Sequence, residues 1–530
     1  MGEALETGAA SKRSLQSSPR SSSGDDRPSV GDIVEDLGFG FAQIRAILIG
    51  GGTYLADGAE LLLISSVAKA VSRDWDLPAL ARGMLVTVVF LGILTGNILS
   101  GVLSEAIGRR AVITWSYLGL FVFSIASSFA AGVKSLGAAR LLVGTFIGLG
   151  QPAWNSIGAE IMPSAWRAFA PAGVFILFSC GELYSASLLL ADDPSLLDLH
   201  WRGLLRWGAI PGGILAVSAL LFLNESPAYL ALRGRREEAT EVLEAMRREN
   251  RAPDVSVDFR EPRQSSANSS EGRTMSSIVS RQWQIVFGNR LFGTTLIIMY
   301  SCFVLNFAYY GCMYSFPQVL AEVLAYRSAA SQLLIGALWE IPGNAMGFLI
   351  GFTLPRKLGM KVYLLSQALF MASFITGARA VSHGSNNVFM EMSLYVGYYG
   401  IKTMGSAGFC VVYTYSSEVY PTEARATGSA VNIAGGRAGS MLAPLVFEVL
   451  TDATGSFHAF FITMIVLSLA NCFLIDMLRF ETANMRLCDS DEHSEDEAAV
   501  AAFDDAKVAD AGGAKAYGAV TLSHSSESPA

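Results

Sequence analysis

The chain has 530 residues, 52% of them hydrophobic and only 16% charged, with a mean hydropathy of +0.40. Soluble domains carry nearer a quarter charged residues, so this composition excludes an ordinary soluble protein and points to repeated membrane spans. The formal charge of −8 sits in the ends: residues 1–40 hold seven acids and four bases, and residues 479–530 hold eleven acids and four bases. The body between them is slightly basic overall, which excludes a nucleic-acid-binding surface.

In chain order, residues 1–40 form a polar N-terminal tail, expected to be disordered and cytoplasmic. It lacks the pattern of a cleaved signal peptide, and its start lacks the Ser/Thr that myristoylation needs. Apolar runs of bilayer length then predict helices over 44–68, 83–104, 111–131, 136–158, 169–190 and 204–223, making an N-terminal half from 41 to 223. Residues 224–290 read as a cytoplasmic linker. Within it, Arg235 to Asn250 has helical periodicity, with Ala239, Val242, Leu243 and Met246 on one face, while Gln264 to Glu271 reads as flexible. Asn268-Ser-Ser is a glycosylation sequon that this placement makes a chance match. A second set of helices is predicted over 291–316, 330–354, 361–381, 391–415, 426–450 and 456–478, giving a C-terminal half from 291 to 478. Residues 479–530 form an acidic tail, expected to be disordered. Backbone in lipid must satisfy its own hydrogen bonds, so the fold class is an all-α integral membrane protein with twelve transmembrane helices in two six-helix bundles.

The loops alternate in charge. Arg109 and Arg110, Arg167, the linker, Arg356, Lys357 and Lys361, and Arg425 fall on one side; Asp74, Asp76, Asp192, Asp193 and Asp198 fall on the other. The positive-inside rule makes the first side cytoplasmic, with both termini. An internal repeat supports two related halves: Glu160-Ile-Met-Pro163 with Arg167 recurs as Glu418-Val-Tyr-Pro421 with Arg425, all at a single offset. The cysteines, five in apolar segments and Cys488 in the tail, show no metal-site or disulfide spacing, and no cofactor is implied.

These motifs together resemble the major facilitator superfamily. The marks are Gly101 to Arg110, which is similar to the family's loop after the second span with Glu105 for the usual Asp; Arg140-Leu-Leu-Val-Gly144; the two Glu-x-x-Pro-x-x-x-Arg copies; and Asn224-Glu-Ser-Pro227. Within the superfamily the likeness is greatest to the synaptic vesicle 2-related branch, with organic-ion and nicotinate carriers further off, over about residues 31–480. It is carried by Gly38 to Gln43, Ala56-Asp57-Gly-Ala-Glu60, Phe307-Ala-Tyr-Tyr-Gly311, Glu340-Ile-Pro-Gly343 and Tyr413 to Pro421. The resemblance implies two pseudo-symmetric bundles around a midplane cavity and transport by alternating access. Departures matter too. Arg356 stands where the family's loop has an acid, Asn224-Glu-Ser-Pro-Ala228 lacks the usual Arg, and Phe303-Val-Leu-Asn306 replaces the glutamine pair of sugar carriers, which argues against a hexose.

Ionisable residues inside a membrane span default to function because an unpaired one costs about 2.5–3.5 kcal/mol on insertion scales. Asp57 and Glu60 are three apart and share a helix face with Tyr54; they either line the cavity, binding a proton or a cationic group, or pair with bases to hold the bundle. Arg437, in a run of small residues, either grips a carboxylate or pairs with Asp57, Glu60 or Glu340. Its position resembles one that is acidic in cation carriers and basic in anion carriers. Lys402 and Glu340 are expected to form an ion pair, either opening in the cycle or structural. Glu182 is a further proton-site candidate. Arg140 resembles the family's fourth-span arginine linked to proton coupling, with packing the other role. Tyr309, Tyr310 and Trp339 are candidate aromatic walls. Glu105, Arg109, Arg110, Glu160, Arg167, Glu418 and Arg425 are expected to act as gates at helix ends rather than to touch substrate.

The function expected is secondary transport of a small organic ion, with an anion favoured by Arg437 and Lys402, coupled to H⁺, by a monomer in the plasma membrane or an intracellular vesicle. An organic-cation carrier held by Asp57 and Glu60, or a non-transporting sensor or vesicle component, are the alternatives. No nucleophile–base constellation points to an enzyme, and Gly50-Gly51-Gly52 lacks the Lys-Ser/Thr of a phosphate loop.

Overall fold

A computed structural model describes residues 27–166, 169–260, 275–324, 328–385, 387–421 and 424–482. Twelve long helical spans run through it. The first is formed by α2 (Phe41–Gly50) and α3 (Gly52–Asp74), after a short helix α1 (Val30–Leu37). Then come α4 (Ala79–Ile107), α5 (Arg109–Ser128), α6 (Val133–Ile161) and α7 (Phe169–Asp192). The sixth span is built from α8 (Trp201–Gly208) and α9 (Ile210–Phe222). The linker contributes α10 (Pro227–Leu232), α11 (Arg236–Glu249) and α12 (Met275–Val286). The second set is α13 (Phe292–Val323), α14 (Ala329–Thr353), α15 (Arg356–Ser382), α16 (Val388–Glu418), α17 (Arg425–Thr454) and α18 (His458–Asp476). Eleven spans are apolar enough to cross a bilayer by hydropathy alone. The other, α16, is 31 residues long but carries Glu391, Lys402 and Glu418.

Several helices, α3, α15 and α16 among them, extend past the expected boundaries because polar turns continue the helix out of the apolar window, whereas α18 is shorter than expected. The apolar belt stays on the outside: Phe352 and Phe473 are 84% and 77% exposed, a surface suited to lipid rather than water.

The two halves repeat one packing scheme. In the first, α4 packs on α6, α5 on α6 and α3 on α7; in the second, α14 packs on α16, α15 on α16 and α13 on α17. Small residues make the close crossings possible. A Cβ on Gly92, Gly96, Gly144 or Gly148 would overlap the facing helix's backbone at the α4–α6 crossing, and Gly343 and Gly347 do the same for α14 on α16. The halves meet along α7 with α14, α4 with α17, and α3 with α13.

Both described ends of the chain and the linker lie at one end of the bundle, called here the tail side; the opposite end is the far side. Within the tail 1–40, expected to be disordered, residues 30–37 form α1, and residues 1–26 lie outside the described residues. Ser29 caps α1 in a reciprocal box with Asp32, and Val30, Ile33, Val34 and Leu37 pack in one cluster with Ala239, Leu243, Met246 and Phe259. Val242 sits half-buried at that cluster's edge. Asn250 fastens the region: it accepts from the Ala42 amide at 3.0 Å and donates to Gln43 Oε1 at 2.9 Å. The Gln264–Glu271 segment and the 483–530 tail lie outside the described residues.

Candidate functional site

A cavity of about 490 Å³ lies between the halves. Its walls come from Tyr54 and Asp57 on α3, Asn97 on α4, Gln151 and Asn155 on α6, and Phe175 and Phe178 on α7. The other half supplies Tyr309 and Tyr310 on α13, Glu340 and Asn344 on α14, Phe409 and Tyr413 on α16, and Arg437 on α17.

A polar relay crosses its centre. Asp57 Oδ2 accepts from Gln151 Nε2 at 2.8 Å, and Gln151 Oε1 accepts from Arg437 Nη2 at 3.0 Å. Arg437 Nη1 stands 3.5 Å from the Tyr310 hydroxyl. Asp57 and Arg437 are 1% and 8% exposed. Asp57 Oδ1 and Arg437 Nε are buried with no hydrogen-bond partner among the described residues. Leaving such atoms unpaired is costly, so a site built this way is suited to a ligand that supplies the missing partners. Pairing of Asp57 with Arg437 was one sequence expectation; the structure inserts Gln151 between them.

A second cluster lies beside the cavity. Lys402 Nζ donates to Glu182 Oε2 at 2.7 Å and contacts Glu340 Oε1. The Tyr309 hydroxyl lies 3.2 Å from Glu182 Oε1 and 3.0 Å from Glu340 Oε1, and Ser179 donates to Glu340 Oε2 at 3.1 Å. The expected Lys402–Glu340 pair is therefore a triad, and its third member, Glu182, comes from the other half. Lys402 is occupied by two carboxylates and does not line the cavity, so it lends no direct support to an anionic substrate.

Three further candidates lie off the cavity. Glu60 does not line the cavity. Three residues beyond Asp57, it is rotated about 60° around the helix axis and a turn deeper, and it meets Arg140 Nη1 at 2.8 Å and the Ser124 hydroxyl. Arg140 thus serves Glu60 and Ser127, whose hydroxyl accepts from Nε at 3.0 Å. Trp339 is no cavity wall: it is 45% exposed and stacks on Tyr399.

At the tail side the Arg109–Glu160 and Arg356–Glu418 pairs each stay within one half. Arg109 Nη2 bonds Glu160 Oε1 at 2.9 Å, and its guanidinium lies over Tyr229. The equivalent pair in the second half is bidentate: Arg356 bonds the two oxygens of Glu418 at 3.0 and 2.9 Å, and Thr482 adds a 2.7 Å bond. Arg356, the residue that departs from the family's acid, is thus Glu418's partner. Glu225, from the Asn224-Glu-Ser-Pro motif, accepts the Arg109 and Arg110 amides at the α5 N-terminus at 3.2 and 3.1 Å, where the helix dipole favours an anion. Burial pushes its carboxyl above the ordinary value, against these N–H donors. Arg110 also donates to the Leu220 carbonyl at 2.9 Å. Glu105 has an exposed side chain and contributes its carbonyl to Tyr229. Arg425 opens α17 half-buried, and Arg167 lies outside the described residues.

At the far side the halves are locked together. Arg82 Nε donates to Glu448 Oε1 at 2.7 Å, Arg82 Nη2 bonds Oε2, and the Tyr314 hydroxyl also reaches Glu448. Thr87 donates to the Met441 carbonyl at 2.9 Å, and the Ala330 amide to Pro194 at 3.0 Å. The cavity is therefore sealed on the far side and extends toward the tail side past Asn97, Ile98 and Ala430. Sequence reasoning missed Gln151, Arg82 and Glu448. Glu448 lay inside a predicted span and the intramembrane-charge argument applied to it equally. Gln151 had a weaker signal, a lone amide before Pro152.

Two six-helix halves enclosing a cavity that a polar relay crosses, sealed at one end, define a membrane carrier of the major facilitator type. The sequence profile of the sugar (and other) transporter family matches residues 52–492, and the chain belongs to that family. Among its relatives, organic cation/carnitine transporter 7 of Arabidopsis thaliana is 28% identical over 510 residues, 88% of this chain and 97% of that protein. The synaptic vesicle 2-related protein of Bos taurus is 27% identical over 480 residues, 85% of this chain and 81% of that protein. Among solved structures, the inward-open xylose transporter XylE of E. coli superposes with a TM-score of 0.64 at 17% identity, covering 84% of this chain and 98% of that one, which shows the shared fold. The family is one of transporters, not enzymes.

Proposed function

We propose that the protein is a secondary transporter of a small organic ion, driven by H⁺ and working by alternating access as a monomer. The observation that carries this reading is the pair of unpartnered buried atoms, Asp57 Oδ1 and Arg437 Nε, on one cavity between two related halves. Arg437 offers a guanidinium edge to a carboxylate. Asp57, with Tyr54, Phe175, Phe178, Tyr310 and Phe409 near it in the cavity wall, offers a carboxylate and aromatic faces to a cationic nitrogen. A substrate carrying both a carboxylate and a cationic nitrogen uses the site more fully than a plain anion or a plain cation. The anion preference expected from the sequence now rests on Arg437, since Lys402 is committed to Glu182 and Glu340. The Arabidopsis relative, named for organic cations and carnitine, is in keeping with this chemistry. The basic loops make the tail side cytoplasmic, so the conformation described faces inward.

The test is uptake into proteoliposomes of a panel of carboxylates, quaternary amines and molecules bearing both groups, with and without an inward proton gradient. Uptake of the doubly charged class, lost in Arg437→Ala and in Asp57→Asn, supports the reading. Ligand binding without flux from folded protein supports the sensor alternative instead.

A further inference from the structure

The cavity relay leaves the neighbouring triad unexplained. Two carboxylates and one ammonium, all at most 6% exposed, sit among helices of both halves. With both acids ionised the cluster holds one excess negative charge, and an uncompensated charge in such a place costs several kcal/mol. The hydrogen bonds show where a proton would resolve this. Tyr309 has one hydroxyl proton, yet its oxygen lies within hydrogen-bond distance of two carboxyl oxygens, Glu182 Oε1 at 3.2 Å and Glu340 Oε1 at 3.0 Å. It can donate to only one; the other contact is favourable when that carboxyl carries the proton and donates to the phenol. Glu340 has Lys402 and Tyr309 on Oε1 and the Ser179 hydroxyl on Oε2, whereas Glu182 has Lys402 on Oε2 and only Tyr309 on Oε1. The carboxyl with the fewer donors is the one that takes the proton.

We propose that Glu182 is the proton-binding residue of this carrier: in the inward-facing conformation its Oε1 is protonated and donates to Tyr309, which donates to Glu340. The proposal rests on the transport reading above and locates its driving ion. The balance is simple. A proton from the bulk converts the Glu182 carboxylate to the acid, and Lys402 with Glu340 remains a neutral ion pair. Glu182 rides on α7 in the first half; Lys402, Glu340 and Tyr309 ride on α16, α14 and α13 in the second. Rocking the halves apart at α7 and α14 leaves the Lys402–Glu340 pair intact and strands Glu182 without its acceptor, so its carboxyl exchanges its proton with water on whichever side is open, and an inward gradient loads it from outside.

The surrounding ionisable groups are engaged with partners outside the triad. Lys402 is also near Tyr398 of its own helix and Cys312 of α13, both neutral side chains at neutral pH. On α3, which packs against α7, Asp57 is bonded to Gln151, Glu60 to Arg140, and the Tyr54 hydroxyl to Asn155. On α8, Arg206 is bonded to Ser128 and Arg202 to the Ala130 carbonyl; on α2, Arg45 pairs with Glu249.

The experiment uses the full chain in lipid. Infrared difference spectra of the wild type at neutral pH are expected to show the carbonyl stretch of a buried carboxylic acid. The band should be absent in Glu182→Gln and kept in Asp57→Asn. Tyr309→Phe removes the acceptor of the Glu182 proton but keeps the ring, so the band should titrate away at lower pH than in the wild type. In proteoliposomes, gradient-driven uptake normalised to each protein's own counterflow should exceed unity for the wild type and fall to unity for Glu182→Gln. Normalising to counterflow, with a thermal melt as control, separates lost coupling from lost folding. The proposal is overturned by a band that survives in Glu182→Gln, by a Tyr309→Phe band that titrates at higher pH, or by gradient stimulation that persists without Glu182. A wild type that exchanges substrate but ignores the gradient overturns the coupling and the proton-driven reading together while leaving transport itself standing.

Discussion

Glu448→Gln is the most informative perturbation of the far-side lock. The Glu448 side chain is fully buried and takes Arg82 Nε at 2.7 Å, Arg82 Nη2 on its other oxygen, and the Tyr314 hydroxyl. Glutamine keeps the shape and one acceptor, but it removes the charge and turns an –NH₂ toward a donor. Hydrogen bonds to a charged group contribute about 1.5–3 kcal/mol, and neutral ones about 0.5–1.5 kcal/mol. The sealed state should therefore lose about 1–3 kcal/mol. When the far side opens, both groups meet water and the substitution changes little. That difference is worth roughly 5- to 150-fold in the ratio of far-side-open to sealed protein. The assay is labelling of Gln318→Cys by a membrane-impermeant thiol reagent, in a background without native cysteines. Gln318 lies one turn beyond Tyr314 on α13 and is 6% exposed in the sealed state. Glu448→Gln should speed its labelling by roughly that factor, while a tail-side reporter at Asn97→Cys should slow or stay unchanged. Equal rates at Gln318→Cys would refute the lock. Acceleration at both reporters would mean that the protein had loosened, not rocked.

Other outcomes follow from the same geometry. Arg437→Lys should retain less than a tenth of wild-type affinity for a carboxylate substrate, because a lost charge-assisted bond of ~1.5–3 kcal/mol corresponds to about 10- to 100-fold in Kd; equilibrium binding measures it. Glu60→Ala should destabilise the bundle by about 3–5 kcal/mol by stranding Arg140, and Glu60→Ala with Arg140→Met should recover much of that loss, read by thermal melting in detergent. The loop after α7 should loosen in acid. Asp193 is partly desolvated, which raises its carboxyl, but donors from Asp198, Ser195 and Leu197 outweigh this and hold it below its ordinary value of 3.8. A depressed carboxyl stabilises the fold above 3.8 and that contribution is lost as pH falls below it. Hydrogen exchange at the Leu197 and Asp198 amides should therefore rise below pH 3.8 in the wild type, and at neutral pH in Asp193→Ala.

Much of this protein was legible in its residues. Twelve apolar runs, the alternation of basic and acidic loops, and the repeated Glu-x-x-Pro-x-x-x-Arg gave the spans and the two halves, because a bilayer leaves the backbone almost no choice but a helix of fixed length. The intramembrane charges Asp57, Glu60, Arg140, Glu182, Glu340, Lys402 and Arg437 stood out for the same reason: each is costly unless it has a partner or a purpose. Their partners were not legible. Three residues on one helix separate Asp57, which faces the cavity, from Glu60, which is locked to Arg140, and a helix face says nothing about which neighbour will cover it. Gln151 on Arg437, Glu182 on Lys402, and Arg82 on Glu448 each join residues more than two hundred positions apart in sequence. The sequence by itself determined which side chains had to be paired, since lipid penalises every unpaired charge. Only the packing of helix against helix decided who pairs with whom, and which atoms of Asp57 and Arg437 were left without a partner among the described residues.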